Sequence, residues 1–244
     1  MLSLVGLGLG NEKDLTLRGQ EVIASGDDIY AEYYTSRHQC TLEELERICK
    51  KKITIVDRTF VEGNITTLIT RAKKKHVVLL VVGSPTAATT HIEYLLEAHK
   101  QNVTWQVVEN ASVLTAVGLT GLSLYKFGRV TTVPLQNKNI TSPYKAYTAN
   151  KKMGLHTLFL LDITPEKMMT VREGLDYLLR QGLPKKTIVV ACAALGSSKQ
   201  KILVGCADTL AVEGYPQCFV IPGDLHFKEK EALEMWGRSP QKPI

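Results

Sequence analysis

The chain has 244 residues, 44% hydrophobic and 22% charged, a globular composition that can bury one large core or two modest ones. Its longest apolar runs, such as "HVVLLVVG", fall short of the roughly 20 residues a membrane helix needs, which excludes a helical membrane protein. A formal charge of +6 is ordinary solvated surplus or points to an acidic partner.

In chain order, "MLSLVGLGLG" lacks the basic flank and cleavage motif of a leader and runs at once into "NEKD", so it reads as a first strand. Further short apolar runs follow: "DDIYAE" (27–32), "KITIVD" (52–57), "HVVLLVVG" (76–83) and "VTWQVV" (103–108). Segments of helical pattern separate them, the alternation of βα units around a parallel sheet. The clearest helix is 41–51, where Thr41 and Glu44 have the spacing of a capping box. Asn64 caps the next one, which ends in "KKK" (73–75).

After about residue 110 the pattern changes. "RVTTVPL" (129–135), "GLHTLFLLDI" (154–163), "TIVVACAAL" (187–195), "KILVGCA" (201–207) and "QCFVIPG" (217–223) are strands with fewer helices between them, some near enough in sequence to pair antiparallel. Thr170 and Glu173 repeat the capping box ahead of Leu175, Leu178 and Leu179. The polar stretch 136–152 reads as a mobile connection or a short helix, and its role as a lid stays open. The chain divides into an N-terminal α/β domain with a parallel sheet (1–110) and a C-terminal α/β domain with a mixed sheet (111–244).

Five cysteines, Cys40, Cys49, Cys192, Cys206 and Cys218, are odd in number and form no C-x-x-C pair. Neither a disulfide framework nor a zinc ribbon is indicated, and a reducing cytoplasm fits. "GLGLG" (6–10) invites a dinucleotide reading, but G-x-G-x-x-G needs glycine where Asn11 stands. A tight turn explains it equally well. "GSPTAATTH" (83–91) ends a strand where open α/β sheets bind ligands, and its small residues leave room beside the backbone. It also suits a helix start with Ser84 as cap and Pro85 at the first position. "NASVLTAVGLTGLSLYKFG" (110–128) reads as a buried helix packed closely at Gly118 and Gly121, or as a wall against a cofactor or subunit. Lone histidines such as His156 and His226 are mostly structural, no spacing suggests a metal site, and neither a nucleophile elbow nor a Walker lysine occurs.

Taken in order and spacing, "MLSLVGLGLGNEKDLTLRG", "AEYYTS" (31–36), "VVGSPTAATTH", "NASVLTAVGLTGLSLYKFG", "GLHTLFLLDI" and "PGDLH" resemble the diphthine synthase family over nearly the whole chain. The resemblance implies the tetrapyrrole-methylase fold, two α/β domains with S-adenosyl-L-methionine in the cleft between them, usually as a cytoplasmic homodimer. It implies N-methylation of the 3-amino-3-carboxypropyl arm on a histidine of translation elongation factor 2, yielding diphthine and S-adenosyl-L-homocysteine, with no nucleic acid or membrane required. Carried over by position, the donor site comprises Leu9, Ser84, Ala87, Ser112, Val113, Leu161, Leu195 and His226, while no residue is assigned as a general base.

Two departures weigh on that site. Ser84 stands where the family has an aspartate, which weakens donor binding by about 5- to 30-fold if one charge-assisted hydrogen bond is lost. "CAALG" lacks an arginine that many relatives carry before the glycine. Asp162 and Glu32 are candidates to orient the amine or to act as structural caps, and Lys126 and Arg129 to meet an acidic substrate. The alternatives are a methyltransferase of the same fold acting on a tetrapyrrole or ribosomal RNA, or a weakened homologue that binds a partner.

Overall fold

The computed structural model describes residues 1–32, 38–164 and 166–237; most of the "AEYYTS" string, residues 33–36, lies outside them. The chain forms two compact units, Met1–Leu114 and Thr115–Ile244.

In the first unit five parallel strands, β1 (Leu2–Gly6), β2 (Asp28–Glu32), β3 (Thr54–Val56), β4 (Val77–Val81) and β5 (Trp105–Val108), lie in the order β3-β2-β4-β1-β5. The helices are α1 (Leu17–Ser25), α2 (Leu42–Cys49), α3 (Arg58–Gly63), α4 (Ile65–Ala72) and α5 (Ile92–Lys100). Alternate residues of a strand serve opposite faces. Val77, Leu79 and Val81 of β4 join Leu68 and Ile69 of α4 and Tyr94 of α5, while Val78 and Leu80 join Val22 and Ile23 of α1 and Leu45 of α2. A strand buried on both sides favours apolar residues throughout, which is why β4 reads as an unbroken apolar run; in β1 the one polar side chain, buried Ser3, is hydrogen-bonded to His76 Nε2 at 2.7 Å and Gln106 Nε2 at 3.0 Å.

The helix following β1 packs on one face and the helix following β4 on the other. Since β1 and β4 are neighbours, the chain reverses its winding between them, and at that point the carboxyl ends of a sheet open to a ligand.

The second unit is mixed. Strands β6 (Thr131–Val133), β7 (Thr157–Leu161), β8 (Ile188–Ala193), β9 (Lys201–Cys206) and β10 (Gln217–Ile221) lie in the order β6-β7-β10-β8-β9. β6 and β7 are parallel; β10 runs antiparallel to β7 and β8, and β9 antiparallel to β8. Phe159 and Phe219 stack at 4.7 Å in its core. The four-residue α6 (Val113–Ala116) lies across the boundary in the chain, and the helices of the second unit are α7 (Ser142–Lys152), α8 (Val171–Arg180) and α9 (Phe227–Gly237).

All ten apolar runs contain a strand, and both capping boxes form: Glu44 N–H donates to Thr41 Oγ1 at 3.2 Å and Glu173 N–H to Thr170 Oγ1 at 3.2 Å. Three local expectations are corrected. Asn64 sits between α3 and α4 with φ −117° and ψ 19°, and its side chain makes no cap bond, because it also closes α3. No helix starts at Ser84-Pro85; residues 84–91 are turns and α5 begins at Ile92. The stretch 110–128 is not one buried helix. It breaks into α6 and two 3-10 turns, with Gly121 left-handed at φ 85° and Leu119, Leu124 and Tyr125 exposed. Of the two readings of 136–152 the helix is the one that forms: much of it is the three-turn α7, seated by buried Pro143, Ala146, Tyr147 and Asn150.

Candidate functional site

At the carboxyl ends of β4, β1 and β5 the backbone is stitched together by glycines. Gly8 N–H donates to the Gly83 carbonyl at 3.2 Å and Gly83 N–H to the Gly8 carbonyl at 2.8 Å. A Cβ on Gly6 would lie 2.6 Å from the Gly83 carbonyl oxygen and 2.8 Å from Asn110 Cβ, so the first glycine of "GLGLG" serves close packing. Asn110 Nδ2 locks the end of β5 onto this turn by donating to the carbonyls of Gly6 at 2.9 Å and Asp14 at 3.0 Å.

Gly83 differs. Its φ is +81°, and a Cβ there would meet nothing closer than 3.8 Å, from Leu9 Cδ2 and the Ala111 carbonyl. The structure therefore brings five of the eight expected site residues onto three adjoining turns: Leu9 after β1, Ser84 and Ala87 after β4, Ser112 and Val113 after β5. Ser112 is buried, and its Oγ accepts the Leu114 N–H at 3.2 Å, fixing the start of α6.

Ser84 is 6% exposed, and its hydroxyl donates to Glu109 Oε2. Thr86 donates to the other oxygen, Oε1, at 3.0 Å. Sequence reasoning missed Glu109; its signal was a carboxylate immediately after an edge strand, two strands from the hydroxyl-rich turn that follows β4.

The second unit does not gather its three residues. Leu161 ends β7 and Leu195 follows β8, and both lie near the Gln217 end of β10. His226 follows the opposite end of β10, where Gly223 and Asp224 meet Gly154 and His156. It is exposed, with its ring 4.3 Å from that of Phe227.

A second carboxylate escaped the sequence reading. Glu229, 2% exposed, accepts four donors: Ser123 N–H at 3.0 Å, His156 Nε2 at 3.0 Å, Lys126 Nζ at 2.6 Å and His226 N–H at 2.8 Å. Burial opposes its charge, yet these donors together hold the carboxyl well below the usual carboxylate range. Lys126 is thus bound inside the unit, which corrects its expected docking role, while Arg129 is exposed. Asp162 acts as a cap, accepting from Leu135 N–H and Ile163 N–H, both at 3.0 Å. His156, fully buried, is structural.

Glu12, Cys40 and Glu44 bring ligand-type atoms within 4.8 Å of one another. Glu44 already closes the α2 capping box, and burial with both carboxylates pushes the Cys40 thiol up to about 11. A protonated thiol is a poor metal ligand.

Residues 1–211 match the model of the Tetrapyrrole (Corrin/Porphyrin) Methylases. The chain is 41% identical over 249 residues to the diphthine synthase of Methanococcus aeolicus, covering 96% of this chain and 97% of the relative. It is 39% identical over 251 residues to that of Methanocaldococcus jannaschii, covering 96% and 98%. A crystal structure of diphthine synthase superposes with a TM-score of 0.91 at 35% identity, covering 98% of this chain and 96% of that one.

Proposed function

We propose, for a chain that belongs to the tetrapyrrole (corrin/porphyrin) methylases and within them to the diphthine synthases, that the methyl donor is S-adenosyl-L-methionine. The acceptor in this reading is the amine of the 3-amino-3-carboxypropyl arm on a histidine of translation elongation factor 2. The activity itself, a methyltransferase step of diphthamide biosynthesis, follows from family membership. The observation that carries the reading is likeness extending over nearly the full length of both chains.

The turns fit such a donor. Open ground above Gly83, flanked by Leu9, accepts a flat group, and Ala87 and Val113 add small apolar surface. Ser112 and the backbone around it supply polar atoms, and Glu109 supplies negative charge.

When bound, the donor supplies a sulfonium methyl group, whose transfer to a neutral amine needs alignment in a dry site more than a strong acid or base. The chain's part is accordingly positional: apolar Leu9, Ala87 and Val113 exclude water, and the interlocked glycines keep the three turns in fixed register. Exposed Arg129 is suited to an acidic protein substrate.

Incubation with methyl-labelled S-adenosylmethionine and elongation factor 2 bearing the modified histidine tests the proposal. Label on that protein is expected. Label on RNA or on a corrinoid, with none on the factor, contradicts it.

A further inference from the structure

We propose that Glu109 binds the ammonium of the donor's amino-acid end, with Ser84 and Thr86 as positioning residues that hold its carboxylate in place. The inference rests on S-adenosylmethionine being the donor.

Glu109 follows β5 and Ser84 follows β4, and β1 lies between those strands. The hydrogen bond between the two therefore crosses the carboxyl end of β1, over two strand spacings of about 4.8 Å each. The reciprocal Gly8–Gly83 bonds draw the β4 turn over β1 and make that reach possible. Because Ser84 is 6% exposed and gives its proton to Glu109, the group presented to a ligand at this spot is the carboxylate. Glu109 itself is exposed.

One neutral hydroxyl fixes each carboxylate oxygen, and each oxygen keeps further acceptor capacity. No lysine, arginine or histidine pairs with Glu109 among the described residues, in a chain with 30 lysines and arginines. Of the two carboxylates that follow β1, Asp14 accepts Gly10 N–H at 2.6 Å and Glu12 is buried. A carboxylate pinned by hydroxyls, unneutralised, amid small and apolar side chains is a receptor for a cation with N–H donors. The amino-acid end of the donor is that chemistry.

Calorimetry with two probes isolates the contact. S-adenosylhomocysteine carries the ammonium and lacks the sulfonium charge; 5′-deoxy-5′-methylthioadenosine lacks the amino-acid end altogether. Glu109→Gln is expected to weaken S-adenosylhomocysteine about tenfold, the lower end for a hydrogen bond to a charged group, and to leave methylthioadenosine within about twofold. Adding Ser84→Asp to Glu109→Gln moves a carboxylate to the neighbouring turn and is expected to recover most of the lost affinity. Unchanged S-adenosylhomocysteine binding, an equal loss for both probes, or no recovery with the aspartate overturns the proposal. Wild-type protein that binds neither probe overturns the donor reading itself, an outcome distinct from binding that Glu109→Gln fails to alter.

Discussion

His156 Nε2 lies 3.0 Å from Glu229 Oε1, and both side chains are buried. Gly223 N–H donates to His156 Nδ1 at 2.9 Å, which leaves the ring proton on Nε2, pointing at the carboxylate. Glu229 thereby ties the 123–126 segment, the approach to β7 and the start of α9 into one cluster. Removing its charge leaves buried donors under-satisfied, so Glu229→Gln is expected to cost about 2–4 kcal/mol. Urea denaturation checks this, and a change below about 0.5 kcal/mol would contradict the role.

His91, 2% exposed, has neither ring nitrogen hydrogen-bonded among the described residues. Burial lowers its pKa, against a smaller opposing pull from the Pro85 carbonyl, and burial likewise lowers that of His156. In the unfolded chain a histidine takes its proton near pH 6.5, whereas the folded sites resist it. Below about pH 6.5 the unfolded state binds more protons and stability falls as the pH drops. His91→Phe is expected to flatten that decline between pH 7 and pH 5, as read by denaturation at several pH values. An unchanged slope would remove His91 from the account.

Asn150, on α7, behaves like a strand partner: its Oδ1 accepts Arg129 N–H at 3.0 Å, and its Nδ2 donates to the Arg129 carbonyl at 2.9 Å and to Thr157 Oγ1 at 3.0 Å. Asn150→Ala is expected to cost about 2–3 kcal/mol and to raise hydrogen exchange along α7. Protection of that helix equal to wild type would show that Pro143 and Tyr147 suffice to seat it.

Gly6 and Gly83 are expected to part company. Gly6→Ala places a Cβ 2.6 Å from a backbone oxygen and should prevent folding of the first unit, whereas Gly83→Ala meets open space but a left-handed φ, costing about 1–2 kcal/mol. Thermal unfolding separates them. Gly83→Ala should also weaken S-adenosylhomocysteine; full affinity in that variant would place the adenosine away from this floor.

The two sheets were readable because strands buried on both faces leave unbroken apolar runs, and the capping boxes because Thr and Glu three apart satisfy each other locally. α7 was legible only as one of two readings, since its buried face combines proline, alanine, tyrosine and asparagine, two of which carry polar groups. The broken course of 110–128 turns on Gly121 packing beside Ala232, more than a hundred residues away in sequence. For the same reason Glu109 and Glu229 stayed hidden: apart from the His226 N–H beside Glu229, their partners lie 23 to 106 positions away.

A crystal grown with S-adenosylhomocysteine tests the donor site most directly. The account predicts ligand density on the turns after β1, β4 and β5, against Leu9 and Gly83, with the amino group at Glu109. Density elsewhere on the chain, or these turns closed over with no ligand on them, would contradict it.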